Sequence, residues 1–186
     1  MLEFIPTPIQ GLLLVRPRVF SDERGYFFES YSLRDFETHF SEGTLPRFVQ
    51  DNESMSTRGV VRGLHYQRGE HAQAKLVRVV EGEILDVAVD LRPQSPTFGQ
   101  HYAAILSSDN KLQLFIPRGF AHGFSVLSEK AVFQYKCDNY YCKASEASVL
   151  WNDPSLGIDW MIPEEEAILS PKDRVGPLFK DAVIEW

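Results

Sequence analysis

The sequence has few cysteines and no long hydrophobic run, and both shortages exclude classes of protein. Only Cys137 and Cys142 occur among its 186 residues, and they form no Cys-x-x-Cys motif. A disulfide framework or a cysteine-based zinc site is therefore not expected. No apolar stretch approaches the roughly 18 residues of a membrane helix, and the N-terminus lacks the features of a signal peptide. We expect a cytoplasmic protein without a membrane partner.

Positive charge is also scarce. Nineteen Lys and Arg residues stand against 26 Asp and Glu residues, which gives a net charge of −7. This balance argues against nucleic acid as a partner, although it allows one local basic pocket for an anionic small molecule. Because second hydrophobic cores usually appear only above roughly 250 residues, we expect one domain over residues 1–186.

Helical signals are few, and short apolar stretches alternate with turn residues every 8–12 positions, as in β-sandwiches and barrels. The pattern predicts strands at Leu12–Val15, Tyr26–Tyr31, Val60–Tyr66, Lys75–Val80, Ile84–Leu91, Tyr102–Leu106, Gln113–Ile116, Gly123–Leu127 and Ala131–Lys136. In Ile84–Leu91 the alternation predicts one core face and one partly polar face. These features favour an all-β fold, an antiparallel jelly-roll sandwich or barrel with a few short helices.

Two helical elements are predicted from their capping residues. Ser32 begins a pattern that resembles a capping box, which predicts a short helix over Ser32–Phe40. The run Ser170-Pro171-Lys172-Asp173 combines a cap, a proline at the first helical position and a carboxylate at the third. We expect one helical turn there, with Lys172 and Asp173 held in fixed directions.

The first stretch with chemical potential is Arg62–Gln67. Strict alternation puts His65 and Gln67 on one side of a strand and Arg62 on the other. A lone histidine in a strand is usually a half-buried residue bonded to a backbone carbonyl. Here Lys75 begins the next strand, and a histidine with a lysine inside a barrel favours a site. Arg62 can line the same pocket only if Gly63 bends the strand.

The second stretch, Ile116–Phe124, contains Pro117, Gly119 and His122 in a Pro-x-Gly-x-x-His pattern that is similar to the second motif of the cupin superfamily. Metal-binding cupins also carry His-x-His in their first motif, whereas this sequence has His65-Tyr66-Gln67. An amide replaces imidazole poorly on a transition metal. We therefore expect no metal site.

The third stretch places Tyr135 on one face with Phe133 and Cys137. A phenol among such neighbours needs a hydrogen-bond partner or acts as an acid. Tyr140, by contrast, is best explained as a packing residue with its hydroxyl at water.

Taken together, these stretches resemble the family of dTDP-4-dehydrorhamnose 3,5-epimerases, cofactor-free cupin enzymes of dTDP-L-rhamnose synthesis. The resemblance extends from Phe20 to about Pro177. It is carried by Asp22–Glu29, Gln50–Ser54, Val61–Gln67, Gln73–Val77, Asp86–Asp90, Ser95–Gly99, Pro117–Phe124, Tyr135–Cys137, Trp151–Pro154 and Leu169–Asp173. Each segment alone is weakly specific, but all of them in order are highly specific.

The resemblance implies a role for each matching residue. His65 would be the general base oriented by Asp173, Tyr135 the general acid, and Lys75 the residue near the C4 oxygen of the sugar. Positions that match substrate-binding residues are Arg24, Glu29, Gln50, Asp51, Asn52, Arg62, His122, Glu146 and Lys172, and Tyr141 matches the aromatic residue that stacks on thymine. The resemblance also implies no cofactor, a dTDP-sugar as substrate, and a homodimer in which Arg24 reaches the partner's site.

Reasoning from the residues leaves some alternatives open. On alternation grounds Asp86 rivals Asp173 as the partner of His65, and Lys172 could be a solvated surface residue. Among functions, a related nucleotide-sugar 3- or 5-monoepimerase, a ketoisomerase and a non-catalytic sugar-binding module compete with the 3,5-epimerase. A metal-dependent cupin oxygenase is disfavoured by the missing His-x-His motif.

Overall fold

Two antiparallel β-sheets face each other and confirm the predicted all-β sandwich. The computed structural model describes residues 1–186. Its strands are β1 (Leu2–Pro6), β2 (Leu13–Pro17), β3 (Phe20–Asp22), β4 (Gly25–Phe27), β5 (Gln50–Thr57), β6 (Val61–Gln67), β7 (Lys75–Glu81), β8 (Glu83–Asp90), β9 (His101–Ser107), β10 (Gln113–Ile116), β11 (Phe120–Val126), β12 (Lys130–Cys137) and β13 (Glu146–Ser148). One sheet has the order β1-β2-β10-β7-β12-β5 and the other β13-β6-β11-β8-β9, while β3 and β4 form a separate hairpin.

The predicted strands occur with small shifts in their bounds, with one clear exception. The strand expected at Tyr26–Tyr31 is wrong beyond Phe27, where β4 ends. The chain then crosses the outer face of the six-stranded sheet, where the Phe28 ring lies 5.7 Å from the guanidinium of Arg78. Side-chain contacts rather than strand pairing hold this segment. Strands β1, β3, β5 and β13 were not predicted.

The two helical elements form where their caps predict them. Helix α1 (Leu33–His39) is capped by Ser32, whose side chain accepts a hydrogen bond from the Asp35 amide, and it buries Phe36. A short 3₁₀ helix covers Asp173–Val175, and the Ser170 hydroxyl accepts from the Asp173 amide at 3.2 Å. No helix in the structure has the length and apolarity needed to cross a membrane.

The core has three layers, and they correct the interpretation of β8. Side chains such as Val77 and Phe124 fill the space between the sheets. The C-terminal segment, through Trp151 and Trp160, covers the outer face of the five-stranded sheet, while α1 covers part of the other sheet. Both faces of β8 are therefore buried. The C-terminal segment covers the apolar face, which was expected to be the core face, and the partly polar face lies between the two sheets.

A buried carboxylate fastens the end of β8 to the loop that follows it. Asp90 is fully enclosed and accepts hydrogen bonds from Arg92 at 2.8 Å, Ser95 at 2.6 Å and Thr97 at 2.7 Å. Burial raises the pKa of Asp90, but these donors outweigh burial and lower the pKa to about 2. Arg92 also packs beneath Gly119, at the turn before β11. The network thus fixes the turn that leads to His122.

The substitution Asp90→Asn should lower the free energy of unfolding at pH 7 by about 2 kcal/mol, since one pKa unit corresponds to about 1.4 kcal/mol. Because the folded pKa lies below the ordinary value of 3.8, the charge stabilises the protein above that pH and ceases to do so as the pH falls toward 2. Thermal unfolding of both proteins between pH 7 and pH 3 measures this. A difference in melting temperature that does not shrink on acidification would contradict the assignment.

Candidate active site

A cavity of about 490 Å³ opens between the two sheets, on the side where β5 and β12 face β6. Its wall brings together six of the predicted site residues, which are Arg62, His65, Lys75, His122, Tyr135 and Asp173. Apolar side chains such as Phe124 and Phe133 line the remainder. All six polar residues are ionisable and lie in a partly enclosed space, where charges interact more strongly than in water.

His65 and Asp173 form a hydrogen-bonded pair although 108 residues separate them in the chain. His65 Nε2 lies 2.5 Å from Asp173 Oδ1, and Ser170 donates to Asp173 Oδ2 at 2.6 Å. Burial raises the pKa of Asp173, but donation by His65 and Ser170 outweighs burial and holds the pKa below its usual value. Asp173 is therefore an anion at neutral pH, and of the two aspartates it is the one that contacts His65.

A bulge in β6 brings Arg62 and His65 to the same cavity. His65 pairs with His122 and Arg62 pairs with Phe124, so two residues of β6 stand opposite one residue of β11. Gly63, inside the bulge, has φ +132°, and a Cβ there would lie 2.6 Å from the Gly123 Cα. The bend at Gly63 that the sequence required is thus confirmed. Arg62 is held by donation from Nε to the Ser56 hydroxyl at 3.1 Å.

Lys75 and Tyr135 enter the cavity from the six-stranded sheet, opposite His65. The Lys75 Nζ lies 5.8 Å from the centroid of the Tyr135 ring. Burial lowers the pKa of Lys75 below 10.5 and raises the pKa of Tyr135 above 10.0. A phenol with a raised pKa is protonated at neutral pH and can donate its proton.

His122 and Asp86 form a second histidine–aspartate pair on the five-stranded sheet. His122 Nε2 lies 2.9 Å and 3.1 Å from the two carboxylate oxygens of Asp86. Burial lowers the pKa of His122, although Asp86 acts in the opposite direction. The interpretation of Asp86 as a rival partner for His65 is wrong, because Asp86 bonds His122 instead.

Further predicted residues form a linked rim beside the cavity. Glu146 pairs in register with Gln67, accepts from the Tyr141 hydroxyl at 3.2 Å and forms an ion pair with Lys172. Gln50 accepts from the Tyr141 amide at 3.2 Å and donates to Asn52 at 3.0 Å. Lys172 is therefore not an isolated surface lysine, since its partner Glu146 stands on the strand next to β6.

Three predicted binding residues lie away from both the cavity and its rim. Arg24 sits in the β3–β4 hairpin, where its Nε donates to Asp22 at 3.1 Å, and Glu29 accepts from the N-terminal amine at 3.3 Å. Asp51 pairs with Lys136 at 2.9 Å on the outer face of the six-stranded sheet. Alternation along β5 explains Asp51, because Gln50 and Asn52 point inward and the residue between them must point outward.

Some residues of the site were missed by sequence reasoning. Ser170 donates to Asp173 and lines the cavity, and the capping pattern that named it was the available signal. Ser54 also lines the cavity, on the unpredicted strand β5.

Gln67 has a structural role where metal-binding cupins have a second histidine. Its amide donates to the Cys142 carbonyl at 3.2 Å and accepts from the Cys142 amide at 2.9 Å. No group of three His, Cys, Asp or Glu side chains in the chain is arranged to hold a metal ion. That the protein needs no metal stays a prediction.

Comparisons with known proteins agree on one family. The family model described as dTDP-4-dehydrorhamnose 3,5-epimerase matches residues 6–181. The enzyme of that name from Salmonella typhimurium is 53% identical over 187 residues, with 99% of each chain covered. The crystal structure of dTDP-4-dehydrorhamnose 3,5-epimerase from Elizabethkingia anophelis has a TM-score of 0.92 and 57% identity, with 97% of each chain covered. A Legionella pneumophila dTDP-6-deoxy-D-glucose-3,5-epimerase, solved in complex with dTDP-4-keto-L-rhamnose, has a TM-score of 0.91 and 49% identity, with 97% of this chain and 94% of that chain covered.

The substitution Gly63→Ala should destabilise the protein through both backbone strain and a clash with Gly123, each costing about 1–3 kcal/mol. Gly25→Ala is the matched control, because Gly25 has a similar φ of +126° but nothing within 4 Å of an added Cβ. Urea unfolding of the two variants measures the difference. Equal losses of stability would mean that the close approach of β6 and β11 is not required.

Proposed function

The chain belongs to the family of dTDP-4-dehydrorhamnose 3,5-epimerases, and we propose that it converts dTDP-4-dehydro-6-deoxy-D-glucose into dTDP-4-dehydro-L-rhamnose by inverting C3 and C5. The product is a precursor of dTDP-L-rhamnose for cell-surface polysaccharide. One observation carries the proposal: the His65–Asp173 pair and Tyr135 project from facing sheets into one cavity that also contains Lys75. Inversion of a carbon needs a base and an acid on opposite sides of the sugar ring.

The reaction begins with removal of a proton from carbon. The hydrogens at C3 and C5 both flank the C4 ketone, so loss of either gives an enolate. His65 accepts the proton as a neutral imidazole. Asp173, an anion bonded to Nε2, fixes the tautomer so that Nδ1 is the accepting nitrogen, and it stabilises the imidazolium that forms.

The enolate needs a positive charge at its oxygen. Lys75 is the ammonium in the cavity wall, and in a partly enclosed site its interaction with the C4 oxygen is stronger than in water. This interaction grows as negative charge moves to the oxygen, so Lys75 stabilises the transition state more than the bound substrate.

Tyr135 completes the inversion by returning a proton to the opposite face of the carbon. Its phenol stands on the six-stranded sheet, whereas His65 stands on the five-stranded sheet. The C–H bond broken by His65 is replaced by a new C–H bond with the proton of Tyr135. Solvent then removes the proton from His65 and restores the one on Tyr135, so the cycle consumes nothing.

The rim residues suit a nucleoside diphosphate. Arg62 and Lys172 supply cations for the diphosphate despite the net charge of −7. The Tyr141 ring is 53% exposed beside the cavity, so its face is available to stack on thymine. Gln50, Asn52, His122 and Glu146 provide polar groups for the sugars.

A homodimer accounts for Arg24 and Glu29, which lie outside the cavity of their own chain. The β3–β4 hairpin exposes Phe20, Tyr26 and Phe27, each more than half exposed. Apolar side chains on an extended hairpin favour contact with another chain. We assign that contact to a second copy, whose cavity Arg24 would complete. Asp51, which pairs with Lys136 on the outer sheet face, has no part in this proposal.

Proton NMR of the reaction in deuterated water tests the function. Both C3 and C5 should exchange their hydrogens with solvent, and His65→Asn should reduce exchange about 10²–10⁴-fold because asparagine accepts no proton at neutral pH. Binding of dTDP to the variant, measured by calorimetry, is the control for folding. Label at one carbon only would indicate a monoepimerase, and binding without any exchange would indicate a sugar-binding module.

A mixing experiment tests the shared site. Arg24→Ala and His65→Asn each disable the enzyme, but in a mixed dimer one cavity keeps His65 and receives an intact Arg24. Subunits exchanged at equal ratio should recover about a quarter of the wild-type activity. Sedimentation velocity provides the oligomeric state. No recovery from proven mixed dimers would place Arg24 in the site of its own chain.

A further inference from the structure

Asp86 is a buried carboxylate without a hydrogen-bonded cation. It lies in the middle of β8 and is fully enclosed. Both of its oxygens lie within 3.1 Å of His122 Nε2, and no lysine or arginine lies within ion-pair distance. An uncompensated charge in a protein interior is strongly destabilising. The structure must therefore provide positive charge near Asp86 by another route.

His122 does not provide that charge. Burial lowers its pKa, and the nearby cation Lys75 acts in the same direction, so the ring is neutral at physiological pH. A neutral ring that contacts Asp86 through Nε2 donates its proton there, which leaves Nδ1 free. His122 is 7% exposed and lines the cavity.

Two cations line the cavity with His122, and Lys75 is the one without a hydrogen bond, since the Arg62 Nε donates to the Ser56 hydroxyl. The ionisable groups around it are Cys137 and Tyr135 on β12, Asp86 on β8, His122 on β11 and Glu146 on β13, while β10 contributes the uncharged Ile116. Arg62 and the bonded pair of His65 and Asp173 complete the ionisable groups of the cavity wall.

Besides Asp173, which is bonded to His65, two other groups near Lys75 could carry negative charge, and neither needs Lys75 as a partner. Burial raises the pKa of Cys137 to about 11, so its thiol is uncharged. Glu146 already has Lys172 as its ion-pair partner. Asp86 is the remaining anion without a cation of its own.

We propose that Asp86 is a positioning residue, which holds His122 through Nε2 and supplies the negative charge that keeps Lys75 protonated. Its place in catalysis rests on the function proposed above. An ammonium that is already charged before substrate binds can stabilise the enolate without first acquiring a proton. His122 bonds Asp86 and lines the same cavity as Lys75, and Asp86 and Lys75 form no direct ion pair, so the ammonium stays free to contact the C4 oxygen.

The test is a pH titration of the Lys75 ammonium by NMR in protein labelled with ¹³C,¹⁵N-lysine, with Lys75→Arg to assign the signal. In Asp86→Asn the midpoint should fall by about 1–3 pH units, because an opposite charge is lost. Asp86→Glu keeps the charge and should restore most of the shift. Asp90→Asn is the matched control, because it also removes a buried carboxylate of β8, but one whose ion-pair partner is Arg92. It should leave the midpoint of Lys75 unchanged. An unchanged midpoint in folded Asp86→Asn would overturn the proposal.

Two further measurements cover the other outcomes. In turnover assays, Asp86→Asn should move the alkaline limb of the kcat profile to lower pH and reduce kcat more than it changes KM. If Lys75 titrates as expected but the wild-type protein does not epimerise the substrate, the proposed function fails and the role of Asp86 stands. If Asp86→Asn does not fold, the ¹³C carboxyl shift of Asp86 in the wild-type protein decides. An ionised carboxylate at pH 7 supports the proposal, and a protonated one overturns it.

Discussion

The close contact between two glycines, Gly63 on β6 and Gly123 on β11, is the constraint on which the site depends. Neither position has room for a side chain, because an added Cβ would lie 2.6 Å from backbone atoms of the other strand. The two strands approach there, and the bulge that results changes the alternation of β6. Arg62 and His65, which regular pleating would separate, then share one cavity. An arginine and a histidine of one strand are in this way brought to one cavity.

Around that bend, the cavity pairs each imidazole with a carboxylate but uses the two pairs differently. His65 is bonded to an aspartate on a capped turn and is 30% exposed at its side chain, so it can reach substrate and solvent. His122 is bonded to an aspartate within the sheet and is almost completely buried. The accessible pair suits proton transfer, and the enclosed pair suits the role proposed for Asp86 in keeping Lys75 charged. Burial, rather than residue type, distinguishes the two.

The sequence predicted the sandwich and most of the cavity, and its errors have physical causes. Strand β5 was missed because alternation shows only when the inward face is apolar, and here the inward residues Asn52 and Ser54 are polar, with Ser54 in the cavity wall. The choice between Asp86 and Asp173 could not be made from alternation, since a contact over 108 residues depends on where the C-terminal segment packs. Arg24 was predicted from resemblance, and one chain alone does not bring it to the cavity.

The central claim is that base and acid act from opposite sheets, and Tyr135→Phe tests it most directly. The measurement is the ratio of solvent deuterium exchange to epimerised product for this variant, with Tyr140→Phe as the control for loss of an exposed phenol. Because His65 and Lys75 remain, the enolate still forms, but its proton returns mostly to the face it left. The account predicts that exchange persists while inversion is lost. Equal loss of exchange and inversion, or inversion at the wild-type rate, would contradict it.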